Sequence, residues 1–191
     1  TQGVSSAASD VYKRQLLGAQ KEAMAVAALL EQHQYKCTVL IGEDIPALEV
    51  LNQLYLHPYR LLHIAAHGCF EAQTSDGGQR TGVVLSNGLL ITAAEINAME
   101  SVPEVVFLNC CHLGLSDDPT MAEHKLAYNK LAYSVSRELI EMGVRAVVAC
   151  GWAVDDRAAE VFAESFYKSL LDNVPFGEAI RNARTQTYSA H

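Results

Sequence analysis

A thiol beside an imidazole is the smallest pair of side chains that performs covalent acyl chemistry. The imidazole favours the thiolate, which attacks a carbonyl, and later returns a proton to the leaving amine. Two stretches of this 191-residue chain supply the two groups in similar settings. "LLHIAAHG" is an apolar run closing on His67 and Gly68, and "VVFLNCCHLG" is an apolar run closing on Cys110, Cys111 and His112, with Gly114 behind. A glycine directly after the histidine leaves a backbone N–H open to a reacting carbonyl oxygen, as an oxyanion hole requires. Successive side chains of a strand face opposite ways, so one of the two adjacent cysteines shares a face with the histidine and the other does not.

The elements that would position these groups follow from periodicity. Leu16, Ala19, Ala23, Val26, Ala27 and Leu30 recur at helical spacing. "KCTVLIG" (36–42) reads as a strand, "IPALEVLNQLYL" (45–56) as a helix opened by Pro46, and 59–68 as a second strand. The polar, Gly-rich residues 69–80 read as a loop that brings Glu71 and Asp76 near the histidine. "GVVLS", Asn87-Gly88 and "LLITAAEI" form a hairpin pattern with a type I′ turn signal, and Thr92 with Glu95 forms a capping box. Residues 104–111 read as a third core strand, 115–125 as a loop, and 126–142 as a helix stopped by Gly143. A fourth strand over 144–154 precedes a helix capped by Asp155 or Asp156, and Pro175 opens the last helix. Strands alternate with helices, and the core strands are apolar on both faces. That predicts an α/β fold with a mainly parallel central sheet flanked by helices. In such sheets ligands bind beyond the carboxyl ends of the strands. Three strands there end in polar groups: His67, then Asn109 to His112, then Trp152 with Asp155 and Asp156.

Composition narrows the function classes. Half the residues are hydrophobic and 19% are charged, which fits a folded domain and excludes a disordered chain. No apolar run reaches the roughly 18 residues that span a bilayer, and no membrane partner is expected. A net charge of −8 argues against nucleic acid as a direct partner. Five cysteines without a secretion signal point to reduced thiols and a cytoplasmic setting, with Cys37 and Cys150 read as small core residues. Residues 1–15 show no period and read as a non-native or disordered leader. Residues 16–191 read as one domain cut from a longer protein.

Taken together, "LLHIAAHG", "VVFLNCCHLG", "GVRAVVACGWAVDD" and "PFGEAIRNAR" resemble the CHAT family, caspase-like domains of peptidase clan CD that often accompany TPR repeats. The resemblance spans about residues 16–188. It implies a caspase-like three-layer sandwich and a cysteine endopeptidase without metal or organic cofactor, acting on a protein or peptide. It also implies a bacterial origin and a TPR-type or other regulatory domain outside this chain. Gly114 aligns Cys111 with the family cysteine, so the implied catalytic dyad is His67 and Cys111, with the backbone N–H groups of Gly68 and Cys111 holding the oxyanion. Asn109 stands where many members have Ser, and His112 where acidic residues are common. Caspase-like sheets begin with a strand before the first helix, a place held here by residues 1–15; a missing strand would expose a sheet edge.

The bland readings stand beside the sharp ones. Cys110 reads as core filler and His63 as a core histidine. A zinc site from His67, Cys69, Cys111 and His112 has no matching ligand spacing. Asp155 and Asp156 are either helix caps or an acidic pocket for a Lys or Arg side chain of the substrate. Trp152 and Asn109 complete the candidate substrate contacts. Two rivals remain: a catalytically silent or partner-gated caspase-like interaction domain, and a nucleotide-binding sheet. The second lacks a phosphate-cradling glycine loop.

Overall fold

The computed structural model describes residues 5–42, 44–73, 78–86, 89–113, 121–150 and 154–190, with backbone alone described for 5–16, 72–73, 111–113 and 121–128. Two compact units emerge: Thr1–Gly42 with Val154–His191, and Glu43–Ala153. The second unit holds helix α2 (Ala47–Leu56), strands β1 (Leu61–Gln73), β2 (Gln79–Val84) and β3 (Leu90–Ile91), helix α3 (Ala93–Asn97), strand β4 (Val105–Leu113), helix α4 (Met121–Glu141) and strand β5 (Ala146–Ala149). The five strands form one sheet in the order β3-β2-β1-β4-β5. β1, β4 and β5 run parallel, and β2 and β3 extend the sheet as an antiparallel hairpin. The mainly parallel α/β sheet expected from the alternation is present in this core, with the hairpin as its antiparallel wing.

The amino ends of the parallel strands are aligned by backbone bonds. The N–H groups of Glu104 and Val105 donate to the Arg60 carbonyl at 2.8 and 3.1 Å, and those of Arg145 and Ala146 donate to the Glu104 carbonyl at 3.1 Å each. From that common start, side chains alternate. Val106, Leu108 and Cys110 of β4 join an apolar cluster with Leu131, Val135 and Leu139 of α4, and Leu62, Ile64 and Ala66 of β1 pack against it. Phe107, between two members of that cluster, faces the other way and is itself only 4% exposed. Consecutive buried residues are what a strand covered on both faces requires.

The first unit is helical: α1 (Ser5–Gln32), α5 (Asp156–Leu171) and α6 (Phe176–Ser189), with α5 packed against both others. α1 begins at Ser5, so the helix runs through residues 5–15, where no period was legible. Glycine at position 18 admits α5 closely: a Cβ there would run into the Asp156 carboxyl group.

Three expectations are corrected. Residues 36–41 lie outside the described strands, and Val39 and Leu40 are exposed. β-branched composition makes a strand only where a neighbour completes its hydrogen-bond ladder. β1 does not stop at Gly68 but continues to Gln73, because β2 takes over as its partner at Gly68↔Val83. The expected 69–80 loop is therefore strand over most of its described length, with Asp76 outside the described residues. α4 starts at Met121, inside the expected 115–125 loop.

Other local signals hold. β2 and β3 pair as a hairpin, although Asn87 and Gly88 lie outside the described residues. Gly143 adopts φ +105 and ends α4, the left-handed conformation that favours glycine. The capping box is complete: the Thr92 hydroxyl accepts from the Ala94 N–H at 3.1 Å, and the Thr92 N–H donates to Glu95 Oε2 at 2.7 Å. Burial works against the Glu95 charge, but the bonds from Thr92 outweigh it and hold the carboxyl below its ordinary value. That stabilisation is complete above the unfolded pKa of about 4.3 and is lost as pH falls through the lower folded value. Thr92→Ala and Glu95→Ala should each lower the urea-unfolding free energy by about 1 kcal/mol at pH 7. The Glu95→Ala deficit should shrink as the titration is repeated toward pH 3.

Candidate active site

The two reactive stretches lie on adjacent parallel strands. Ala65 pairs with Asn109, His67 with His112 and Gly68 with Leu113. Between Ala65 and His67 the register shifts. A single residue of β1, Ala66, is there opposed by two of β4, Cys110 and Cys111. The result is a bulge of the kind that re-aims side chains at sheet rims. The backbone of Cys111 thus sits beside that of His67 at the carboxyl end of the shared ladder, one position before His112. The side chains of Cys111 and His112, and all of Trp152 and Gly114, lie outside what the structure describes.

Neighbouring residues sort by face. Cys110 is 6% exposed and belongs to the apolar cluster under α4, as expected of a core thiol. Gly68 reaches the same place from β1. A Cβ at Gly68 would stand 3.1 Å from Cys110 Cβ and would collide with the Leu131 side chain. The glycine after the histidine therefore has a packing reason beside the oxyanion reading. His63 stacks its ring on Phe107, centroids 4.7 Å apart and planes 23° apart, which bears out the structural reading of that histidine. The Nε2 atoms of His63 and His67 are both withdrawn from solvent.

The remaining thiols occupy distinct settings. Cys69 is buried and its Sγ lies 3.8 Å from the Arg80 carbonyl oxygen. Burial pushes this thiol up, partly offset by a backbone bond from Gly82, so it stays protonated. Cys150 is half-buried at the end of β5, its N–H donating to the Leu108 carbonyl at 3.3 Å, which sets it level with Asn109. Cys37, read as a core residue, is instead half-buried in the segment after α1. There burial and then the Glu31 charge push its thiol up. Glu71 sits at a second bulge, opposite Thr81, with φ 49 and its N–H bonded to Thr81 Oγ1 at 3.0 Å.

In the helical unit, Asp155 is the N-cap of α5. Its Oδ1 accepts from the N–H groups of Arg157 and Ala158 at 3.0 and 3.2 Å. The capping reading thus holds for Asp155. Asp156 begins the helix proper, and burial, then the Asp155 and Glu22 charges, push its carboxyl above the usual range. Glu22, only 1% exposed, was not singled out from the sequence. Nor was Leu131, because an apolar residue on a helical stripe does not announce which strand it meets.

A family model, the CHAT domain, matches residues 2–191. The chain belongs to the CHAT family. That family is caspase-like and peptidase-related, in agreement with the motifs read at the strand ends. No curated protein and no solved structure matches the CHAT chain. Among the described residues of this CHAT domain, no helix is long and apolar enough to cross a membrane.

The sorting of thiols is directly measurable. In the folded protein at pH 8, Cys69 and Cys110 should resist iodoacetamide and react only after urea is added, as read by peptide mass spectrometry. Native-state labelling of Cys110 as fast as that of the half-buried Cys37 would contradict its place under α4.

Proposed function

We propose that this CHAT domain is a caspase-like cysteine endopeptidase built as a three-layer sandwich. The observation that carries the reading is the β1–β4 pairing. It brings the backbones of His67 and Cys111 together at one rim, while Cys69, Cys110 and His63 are committed elsewhere. In this mechanism the Cys111 thiolate adds to the peptide carbonyl, and the oxyanion is held by the backbone N–H groups of Gly68 and Cys111. The tetrahedral species collapses to a thioester as the C–N bond breaks, with His67 giving the leaving amine its proton. Water, deprotonated by His67, then attacks the thioester and releases the acid and the Cys111 thiol.

The substrate is a protein or peptide cut after Lys or Arg. Asp155 and Asp156 are the candidate carboxylates for the cation, Asp155 also serving as the α5 cap. Trp152 and Asn109 complete the contacts. The setting is cytoplasmic, and a TPR-type or other regulatory domain gates the activity.

A peptide electrophile ending in Lys or Arg should label Cys111 in the intact protein, and Cys111→Ala should abolish both labelling and peptide cleavage. His67→Ala should slow labelling by about 10²- to 10⁴-fold, whereas Cys37→Ser should leave the rate unchanged. Asp156→Asn should flatten the Lys/Arg preference across a peptide library. Cleavage that persists in Cys111→Ala would overturn the reading. A Cys111 that stays unmodified in the parent protein would favour the silent interaction domain.

A further inference from the structure

We propose that Leu131 of α4 is a positioning residue for the His67–Cys111 pair, acting through the two residues that adjoin them in the chain. This inference rests on the Cys–His reading above. Gly68 follows His67, and Cys110 precedes Cys111. These two neighbours meet one another beneath α4: a Cβ at Gly68 would lie 3.1 Å from Cys110 Cβ and 3.6 Å from the Cys110 carbonyl oxygen. The atom it would strike first is Cδ2 of Leu131. Leu131 is 4% exposed and Cys110 6%, so the contact is a buried one.

Its location gives it a consequence beyond stability. The contact spans the β1–β4 bulge, where Ala66 alone opposes Cys110 and Cys111. A bulge is a point where the regular ladder is already interrupted, and a one-residue slip turns side chains to the other face. A slip here would move His112 from its place opposite His67, and Cys111 from the position before it. Leu131 seats on both strands at that point, on Gly68 from one and beside Cys110 from the other. It therefore opposes the slip from the α4 face of the sheet. The missing side chain at Gly68 is what lets Leu131 come so close.

Leu139 supplies the internal comparison. It belongs to the same apolar cluster, is 0% exposed, and lies about 12 Å further along α4 at the helical rise of 1.5 Å per residue. Truncating it removes the same atoms from the same core away from the bulge.

The test follows Cys111 alkylation by iodoacetamide against pH, with site-resolved mass spectrometry, in full-length protein kept folded by near-UV circular dichroism. Leu131→Ala should slow alkylation at pH 7, by up to about 30-fold as the thiolate fraction falls. It should also move the pH midpoint up toward the ordinary thiol value of about 8.5. Leu131→Met should restore the parent profile, and Leu139→Ala should keep the parent midpoint despite its lost stability. If Leu131→Ala does not fold, Leu131→Val carries the same comparison at smaller volume loss. A parent-like midpoint in the Leu131 variants, or an equal shift in Leu139→Ala, would overturn the positioning role while leaving the dyad intact. A parent midpoint already at about 8.5 and indifferent to His67→Ala would overturn the dyad, and the positioning role with it.

Discussion

The parallel pairing of β1 with β4 is the constraint on which the rest of the structure depends. Both strands start from one clamp of backbone bonds around Arg60 and Glu104, so their registers are set before either reaches the rim. Alternation then divides their side chains. Leu62, Ile64, Ala66, Val106, Leu108 and Cys110 meet α4, and His63 and Phe107 stack on the other face. Regular alternation would carry that division to the end of the ladder. The bulge at Ala66 interrupts it just where the chemistry-bearing residues stand, so the rim is the one part of the pair not dictated by the strands below.

The thiols illustrate how environment, rather than residue type, decides reactivity. Cys69 is buried, and its thiol faces the Arg80 carbonyl, which cannot stabilise a thiolate. Cys110 is packed among aliphatic side chains, where an anion is costly. Cys37 is raised by burial and by a nearby acid. The settings of Cys69 and Cys37 favour the protonated thiol. A nucleophile needs the reverse, a cation or imidazole close by. Among the described strands of the parallel core, His63, His67 and His112 are the histidines, and His63 is stacked on Phe107 two strand repeats below the rim.

The helical unit has its own electrostatic logic. Glu22 is buried in α1, and the approach of α5 is close enough that a side chain at Gly18 would collide with Asp156. Burial, then the Asp155 and Glu22 charges, raise the Asp156 carboxyl, and the phenol of fully buried Tyr167 is pushed well above its ordinary range, first by burial and then by Glu22. Asp155, next to it, accepts from two backbone N–H groups as the N-cap of α5.

Sequence alone determined what depends on near neighbours along the chain. The Thr92–Glu95 box, the Gly143 stop, the Asp155 cap and the apolar strands are local: a few residues contain all the donors, acceptors or conformational freedom involved. The strand ends that carry His67 and Cys111 were legible for the same reason, as polar residues closing apolar runs. What sequence did not determine was partnership. Residues 36–41 have a strand's composition but no described ladder, and residues 69–73, polar and glycine-flanked, are strand because β2 lies beside them. The bulge, and the seat of Leu131 on Gly68, likewise exist only once α4 crosses β1 and β4. Hydrogen-bond ladders and close-packed contacts join residues far apart in the chain, and only the tertiary structure decides which of them meet.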